Sequence, residues 1–411
     1  MINFTKKKLG DLGDIITGRT PKTGDPENFG REYMFLGPTD LHKKFVVNKS
    51  EKYITDKGLA SINSSVIDGL SICVSCIGEV GDVALVNEKC ATNQQINTIT
   101  NIKDDYNPYF IYYWLKDKKE FLSKQANITI TPILNKTDFS NIDIWLPSKS
   151  EQDKIANILS IIDEKIEVNN KISANLEAMA KQIYDYWFVQ FDFPDKNGNP
   201  YKSSGGKMFY NEDLKRDIPE RWRVKELGKI EPNIVTGKTP STTHPENFGG
   251  EVPFICIGDV RGNMHITKTK QTLSKLGADS QLKKYVPKGA ICVTCIASPG
   301  LVGFTTEDSQ TNQQLNTIIC NDFNNRYFLY FYLKDYFRFA KAKSGNTFAN
   351  MNKDDFSSIK VIQAKEETLK HFSNTLNSSF NKILINSKQN NMLEDLRDWL
   401  LPMLMNGQIK I

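Results

Sequence analysis

The sequence predicts an α+β protein: two tandem copies of one domain, related by a pseudo-twofold repeat and separated by two long helices that form an antiparallel coiled coil. Three observations predict it. A set of motifs recurs at one fixed offset of 219 residues. Each copy is a series of short alternating segments broken by glycine and proline. Each copy is then followed by a heptad pattern of apolar residues.

The repeat comes first. Residues 17–30 read TGRTPKTGDPENFG, and residues 236–250 read TGKTPSTTHPENFGG. ICVSCI (72–77) returns as ICVTCI (291–296), and TNQQINTI (92–99) returns as TNQQLNTI (311–318). From Thr17 to Ile99, 31 of 83 paired positions are identical. The copies continue with a slow drift: Tyr109-Phe110 pairs with Tyr327-Phe328 at offset 218, and Asp138-Phe139-Ser140 with Asp355-Phe356-Ser357 at offset 217.

Within each copy, ICVSCI alternates and lies between Gly69 and Gly78, as a strand should. Ile111, Trp114, Leu115 and Leu122 make Pro108 to Ser123 read as one short helix. After the first copy, the heptad seams are Ile155, Ile162, Asn169, Leu176, Ile183 and Leu159, Ile166, Ser173, Ala180, Trp187. No glycine or proline stands between Glu151 and Gln190, and the 33 residues from Ile155 to Trp187 fit a coiled-coil helix about 50 Å long at about 1.5 Å per residue. Shifted by 217, the seams become Phe372, Ser379, Asn386, Leu393, Leu400 and Leu376, Ile383, Asn390, Arg397, Leu404, with Pro402 expected to bend or end the helix. Asn169 and Asn386 hold equivalent seam positions; a polar residue there costs stability and fixes register. The stretch from Phe191 to Arg221, broken by Pro194, Gly198, Pro200, Gly205 and Gly206, reads as an irregular connector. The boundaries read as 1–148 for the first domain, 149–190 for the central helix, 191–365 for connector and second domain, and 366–411 for the C-terminal helix.

Composition narrows the class. Hydrophobic residues make up 39% and charged residues 25% of the 411, an ordinary globular balance. The N-terminus lacks an apolar signal segment, no run approaches the roughly 18 apolar residues of a membrane span, and seven scattered cysteines fit a reduced, cytoplasmic chain. Positive charge is concentrated in residues 221–363, with 19 basic against 12 acidic side chains. Such a segment suits nucleic acid or an ordinary basic surface.

Most catalytic motifs fail. A nucleotide-binding loop needs G-x-x-x-x-G-K-[ST] between a strand and a helix. Gly237-Lys238-Thr239 has Pro232 at the first glycine position, and Arg19 replaces the lysine in the other copy. Asn107-Pro108-Tyr109-Phe110 resembles a methyltransferase tetrad but lacks the second proline, and its partner Asn325-Arg326-Tyr327-Phe328 lacks both. Cys73/Cys76 and Cys292/Cys295 lie in separate domains, so they read as buried small hydrophobes rather than as one zinc site. No catalytic or metal-ligating constellation emerges.

Binding chemistry remains. Lys43, Lys44, Lys49, Lys52 and Lys57 interleave with Phe45 and Tyr53 in the first copy. Arg261, His265, Lys268, Lys270 and Lys275 occupy the matching region of the second. Cations neutralise phosphates, while Arg, Asn and Gln can read base edges. The bland alternative is a solvated basic loop. The shared NQQ motif reads chiefly as scaffold, with Gln94 and Gln313 kept as candidate DNA contacts. Domains that read different sequences should carry their readers where the copies differ.

Taken in order, these features resemble the specificity subunit of a type I restriction–modification system. The resemblance rests on the Thr-Gly-x-Thr-Pro openings, Asn93-Gln94 and Asn312-Gln313, and Leu146-Pro147 leading to Glu151-Gln152. It continues through Trp187-Phe188, Phe191-Asp192-Phe193, Ile218-Pro219-Glu220-Arg221-Trp222 and Leu400-Leu401-Pro402. Lys365-Glu366-Glu367-Thr368 departs from the expected start of the second helix. The resemblance implies two target recognition domains, each reading half of a bipartite, asymmetric double-stranded DNA site. It implies helices that set the spacer and dock two methyltransferase subunits, with restriction subunits joining that core. It also implies a non-catalytic chain with no cofactor of its own, S-adenosylmethionine belonging to the methyltransferases. The rival class is a coiled-coil scaffold carrying duplicated ligand-binding modules not directed at DNA.

Overall fold

The computed structural model describes residues 3–126, 132–344 and 350–409. It divides into two units: 1–166 with 393–411, and 167–392. Both long helices therefore contribute to both units.

In the first unit, the strand Ser71–Ser75 lies between Ile96–Thr100 and Val83–Val86, with Asp14–Thr17 completing an antiparallel sheet. Every residue of Ser71–Ser75 is buried. Its alternating side chains serve two different cores: Ile72 and Val74 point into one, Cys73 into the other. This explains why the segment reads as continuously apolar. A second sheet orders Lys52–Ile54, Phe29–Leu36, Cys90–Thr92 and Val66–Ile67, with Phe29–Leu36 parallel to Cys90–Thr92. Thr5–Lys8 pairs with Asp143–Leu146, where Ile144 and Leu146 face inward and Trp145 outward.

The predicted helix from Pro108 to Ser123 is two helices, Pro108–Asp117 and Lys119–Gln125. The Lys118 N–H bonds back to the carbonyls of Trp114, Leu115 and Lys116, which tightens the turn and ends the first helix. The second copy instead carries one helix over residues 325–344.

The second unit repeats the plan. Ile234–Thr236, Leu315–Ile318, Ile291–Thr294, Val302–Thr305 and His265–Ile266 form one sheet; Gln271–Leu273, Phe248–Ile255, Ser309–Thr311 and Tyr285–Val286 form the other. The connector is more ordered than its composition predicts. Met208–Asn211 and Arg216–Pro219 form a hairpin, and Phe193 stacks on Tyr201 at 4.7 Å and Trp222 at 4.9 Å. Aromatic burial outweighs the local glycine and proline content.

The first long helix spans Lys149–Tyr184 and continues as a π turn, Asp185–Val189. Ser148 and Glu151 exchange capping bonds at its start, and Gln152 is buried, donating to the Pro147 carbonyl at 3.0 Å. The second long helix spans Glu366–Met405. It runs through Pro402, which sits in the last turn, and closes before Gly407 at φ 68. Glu366 and Glu367 occupy its first turn, where acidic side chains suit the helix dipole.

The helices pair antiparallel within each unit. In the first, Ile155, Ala156 and Leu159 share a core with Leu401, Leu404 and Met405, and Asp163 meets Arg397. In the second, Asn169 donates to Asn390 at 2.8 Å and to Gln389 at 3.0 Å, while Asn386 donates to Ser173 at 3.1 Å and to the Asn169 carbonyl at 3.3 Å. Asn169–Asn390 and Asn386–Ser173 are the same contact under the repeat. The polar seam thus obeys the repeat's twofold. Among the described residues, no helix is long and apolar enough to cross a membrane.

Candidate nucleic-acid interface

The twin opening loops are pressed onto the sheet, not shaped for phosphate. A Cβ on Gly18 would sit 2.1 Å from the Asn93 carbonyl oxygen, and one on Gly237 would sit 2.1 Å from that of Asn312. Glycine is required there by close backbone approach. Each loop leads into a 3-10 turn, Pro26–Asn28 or Pro245–Asn247, with no long helix to offer its N-terminus to a phosphate. Thr20 donates to Gln94 Oε1 at 2.6 Å, and Thr239 donates to Gln313 Oε1 at 2.7 Å. The exposed Gln94 and Gln313 are therefore anchored at one end by the loop.

The rest of the shared motif is scaffold. Asn97 accepts from Thr17 at 2.6 Å and donates to Cys76 Sγ at 3.2 Å; Asn316 accepts from Thr236 at 2.7 Å and donates to Cys295 Sγ at 3.3 Å. Asn93 with Gln95 and Asn312 with Gln314 form identical hydrogen-bonded pairs at 3.0 Å. Burial pushes the Cys73, Cys76 and Cys292 thiols up to about 12, so these cysteines act as core residues and not as thiolate ligands.

The basic residues divide into three groups. Lys43, Lys44, Lys49 and Lys52 are exposed, as are Arg261, Lys268, Lys270 and Lys275. Lys43 adopts φ 55, the left-handed turn that Gly262 takes at φ 77 in the second copy. Lys57, on the short helix Asp56–Ser61, is engaged by the opening loop, 3.0 Å from Asp25 and 2.5 Å from Glu27. Arg261 reaches Ser298 at 3.3 Å.

His265 is corrected from a candidate DNA contact to a packing residue. It is half-buried against Phe304 and Phe380. Its Nε2 lies 3.1 Å from the Phe380 carbonyl oxygen, which accepts only, so that nitrogen is the donor. Burial pushes its pKa down to about 4, which leaves a neutral ring unable to neutralise phosphate.

Lys52 does lie beside the glutamine motif. A cleft of about 380 Å³ in the first unit has Asn93 and Gln95 among its lining, with Thr39, Glu51, Lys52 and Glu79. Glu51, Thr39 and Glu79 escaped a sequence reading that searched for cations. All three stand where the two copies differ. Next to the cleft, His42, Glu79 and Asp82 come within ligand distance of one another. Lys119 Nζ already serves that group, 2.5 Å from Asp82 and 3.8 Å from Glu79. Burial alone would raise the Asp82 pKa, but Lys119 and His42 outweigh it and hold the carboxyl below its usual range.

A duplicated frame with differing exposed side chains, each copy followed by a long helix, is the arrangement of a recognition subunit. Residues 1–178 and 219–395 match the family model for the type I restriction modification DNA specificity domain, and the chain belongs to that family. It is 34% identical over 322 residues to the type I restriction enzyme HindI specificity subunit of Haemophilus influenzae, covering 66% of this chain and 70% of that one. It is 26% identical over 418 residues to the MjaIX specificity subunit of Methanocaldococcus jannaschii, covering 98% and 93%. The crystal structure of the type I restriction–modification S subunit from M. genitalium matches its fold with a TM-score of 0.57 at 19% identity, over 98% of this chain and 96% of that one.

Proposed function

We propose that this chain is the sequence-specific DNA recognition subunit of a type I restriction–modification complex. Each globular domain reads one half of a bipartite, asymmetric duplex site. The paired helices set the spacer and dock two methyltransferase subunits, with restriction subunits completing the assembly. The chain itself is non-catalytic, and S-adenosylmethionine belongs to the methyltransferases. The observation that carries the reading is one scaffold built twice, with the hydrogen bonds of the opening loop and the Asn-Gln-Gln motif repeated, presenting different exposed residues each time.

Exposed apolar residues on the helices support the docking role. In the second unit, Val168, Ile172 and Met179 stand at spacings of four and seven on the first long helix, one face in the helical period. Ile385 and Met392 stand seven apart on the second, and Met392 is 71% exposed. In the first unit, Leu396 and Trp399 are likewise exposed. Lone exposed apolar residues are ordinary, but rows at helical spacing suit a protein partner.

Methylation mapping by long-read sequencing, in cells carrying this gene with its methyltransferase, tests the reading. A bipartite motif with a fixed spacer is expected. Inserting four residues into the first long helix adds about 6 Å, near two base pairs at about 3.4 Å each, so the spacer should lengthen. An unchanged spacer would refute the helices as a ruler.

A further inference from the structure

We infer that positions 51 and 270 are paired base-reading positions. Glu51 selects a base that offers an amino hydrogen, and Lys270 selects one that offers acceptors. The inference rests on the DNA-recognition reading above and adds which side chains discriminate.

The argument begins with the backbone. Asp40 accepts from the Gly37 N–H at 2.8 Å and from the Glu51 N–H at 2.9 Å. Asp259 accepts from the Cys256 N–H at 2.8 Å and from the Lys270 N–H at 2.9 Å. The same carboxylate pins the same two amides in each copy. Residues 51 and 270 then stand immediately before the equivalent strands Lys52–Ile54 and Gln271–Leu273. The hydrogen-bonded pairs Asn93–Gln95 and Asn312–Gln314 belong to this shared frame.

What hangs on the frame differs. Glu51 is replaced by Lys270, Lys52 by Gln271, Thr39 by Gly258 and Glu79 by Ser298. At 51 and 270 the charge reverses while the backbone hydrogen bond stays the same. Both side chains are exposed, and among the described residues neither charged end has a protein partner. In the first copy this position lines the cleft. The same aspartate holds the backbone at this position alike in both copies, and a preorganised backbone lets the side chain that differs discriminate between bases.

The chemistry of the two residues is complementary. An ionised carboxylate only accepts hydrogen bonds, so it pairs with the amino groups of cytosine or adenine in the major groove. An ammonium only donates, so it pairs with the guanine O6 and N7 or the thymine O4.

The test uses the full chain assembled with its methyltransferase subunits on duplexes randomised through both half-sites, with methylated products sequenced. A wild-type complex that selects no bipartite motif would count against the DNA-recognition reading itself. Given a wild-type motif, Glu51→Lys is expected to move the preference at one base position of one half-site from adenine or cytosine toward guanine or thymine. The expected change is about ten- to hundredfold, with the other half-site unchanged. Lys270→Glu should do the reverse in the other half-site. Glu51→Gln, which keeps an acceptor and adds a donor, should broaden the preference without moving it. The inference is overturned if both charge reversals leave the selected motif unchanged, if either shifts both half-sites alike, or if methylation falls on every duplex while assembly is intact.

Discussion

The two domains rest on the helix pair by opposite chemistry at the same repeat position. In the first unit, Asp163 is almost fully buried, with Arg397 Nη1 at 2.5 Å, the Tyr113 hydroxyl donating at 2.7 Å and Lys116 at 3.8 Å. Shifted by 217 or 218, these positions become Phe380, Ala180, Phe331 and Lys334. In the second unit Phe380 is buried among the rings of Phe304, Tyr327, Tyr330 and Phe331. Lys334 turns instead to Glu177 at 2.6 Å. Burial lowers the Arg397 pKa, but Asp163 and Asp398 more than offset this and raise it. Tyr113 is also raised, chiefly by burial. One backbone frame thus accommodates either a charge cluster or an aromatic cluster. The difference shows that this contact selects for filled volume and satisfied polar groups, and for no particular residue.

The largest effects should come from breaking either cluster. Arg397→Ala leaves Asp163 buried without its nearer charge partner, with only Lys116 at 3.8 Å, and should cost about 3–5 kcal/mol. Phe380→Ala opens a cavity and should cost a similar ~3–5 kcal/mol. Urea denaturation followed by domain-specific hydrogen exchange would assign each loss to its own unit.

A smaller, pH-dependent effect should appear only in the second unit. Burial holds the folded His265 pKa down at about 4, below the ordinary histidine value of 6.5, so protonation favours the unfolded chain. Its contribution is full above about pH 6.5, falls as the pH drops toward 4, and totals at most roughly 3 kcal/mol. The counterpart in the first copy is Val46, which has nothing to titrate. His265→Val should flatten the acid limb of the stability curve. If the slope persists in that variant, the acid sensitivity comes from another group.

The smallest change is expected from transplanting one cluster into the other frame. Tyr113→Phe, Asp163→Phe and Arg397→Ala together copy the second unit's residues. The triple variant should lie within about 1.5 kcal/mol of the parent, well above Arg397→Ala alone. A triple variant as unstable as the single one would show that the two frames are not interchangeable.

How much was readable in advance follows from the range of the interactions. The duplicated domain was legible because Thr17–Asn97 and Thr236–Asn316 demand the same residues at the same spacing. The seam asparagines were legible through the heptad, and the structure places Asn169 and Asn386 in one network. The connector hairpin was not legible, because Phe193 is buried by Trp222, a residue whose role composition does not reveal. His265 misled for the same reason: its acceptor lies 115 residues away, on a helix that local pattern could not place beside it. Glu51 was not legible as a cleft residue, because its place beside Asn93 and Gln95 depends on folding and not on local pattern.

The buried thiols have a practical consequence. Burial raises all seven cysteines, from about 11 at Cys256 and Cys295 to about 12 at Cys73, Cys76 and Cys292, with Cys90 and Cys320 raised as well. At neutral pH almost no thiolate is present to attack an alkylating reagent. Five of the seven are buried and Cys256 and Cys320 are only partly exposed, so the native chain should give a low background for thiol chemistry. A single cysteine installed at position 51 would be the fast-reacting sulfur, ready to carry a fluorophore or a crosslinker without first stripping the core of its own.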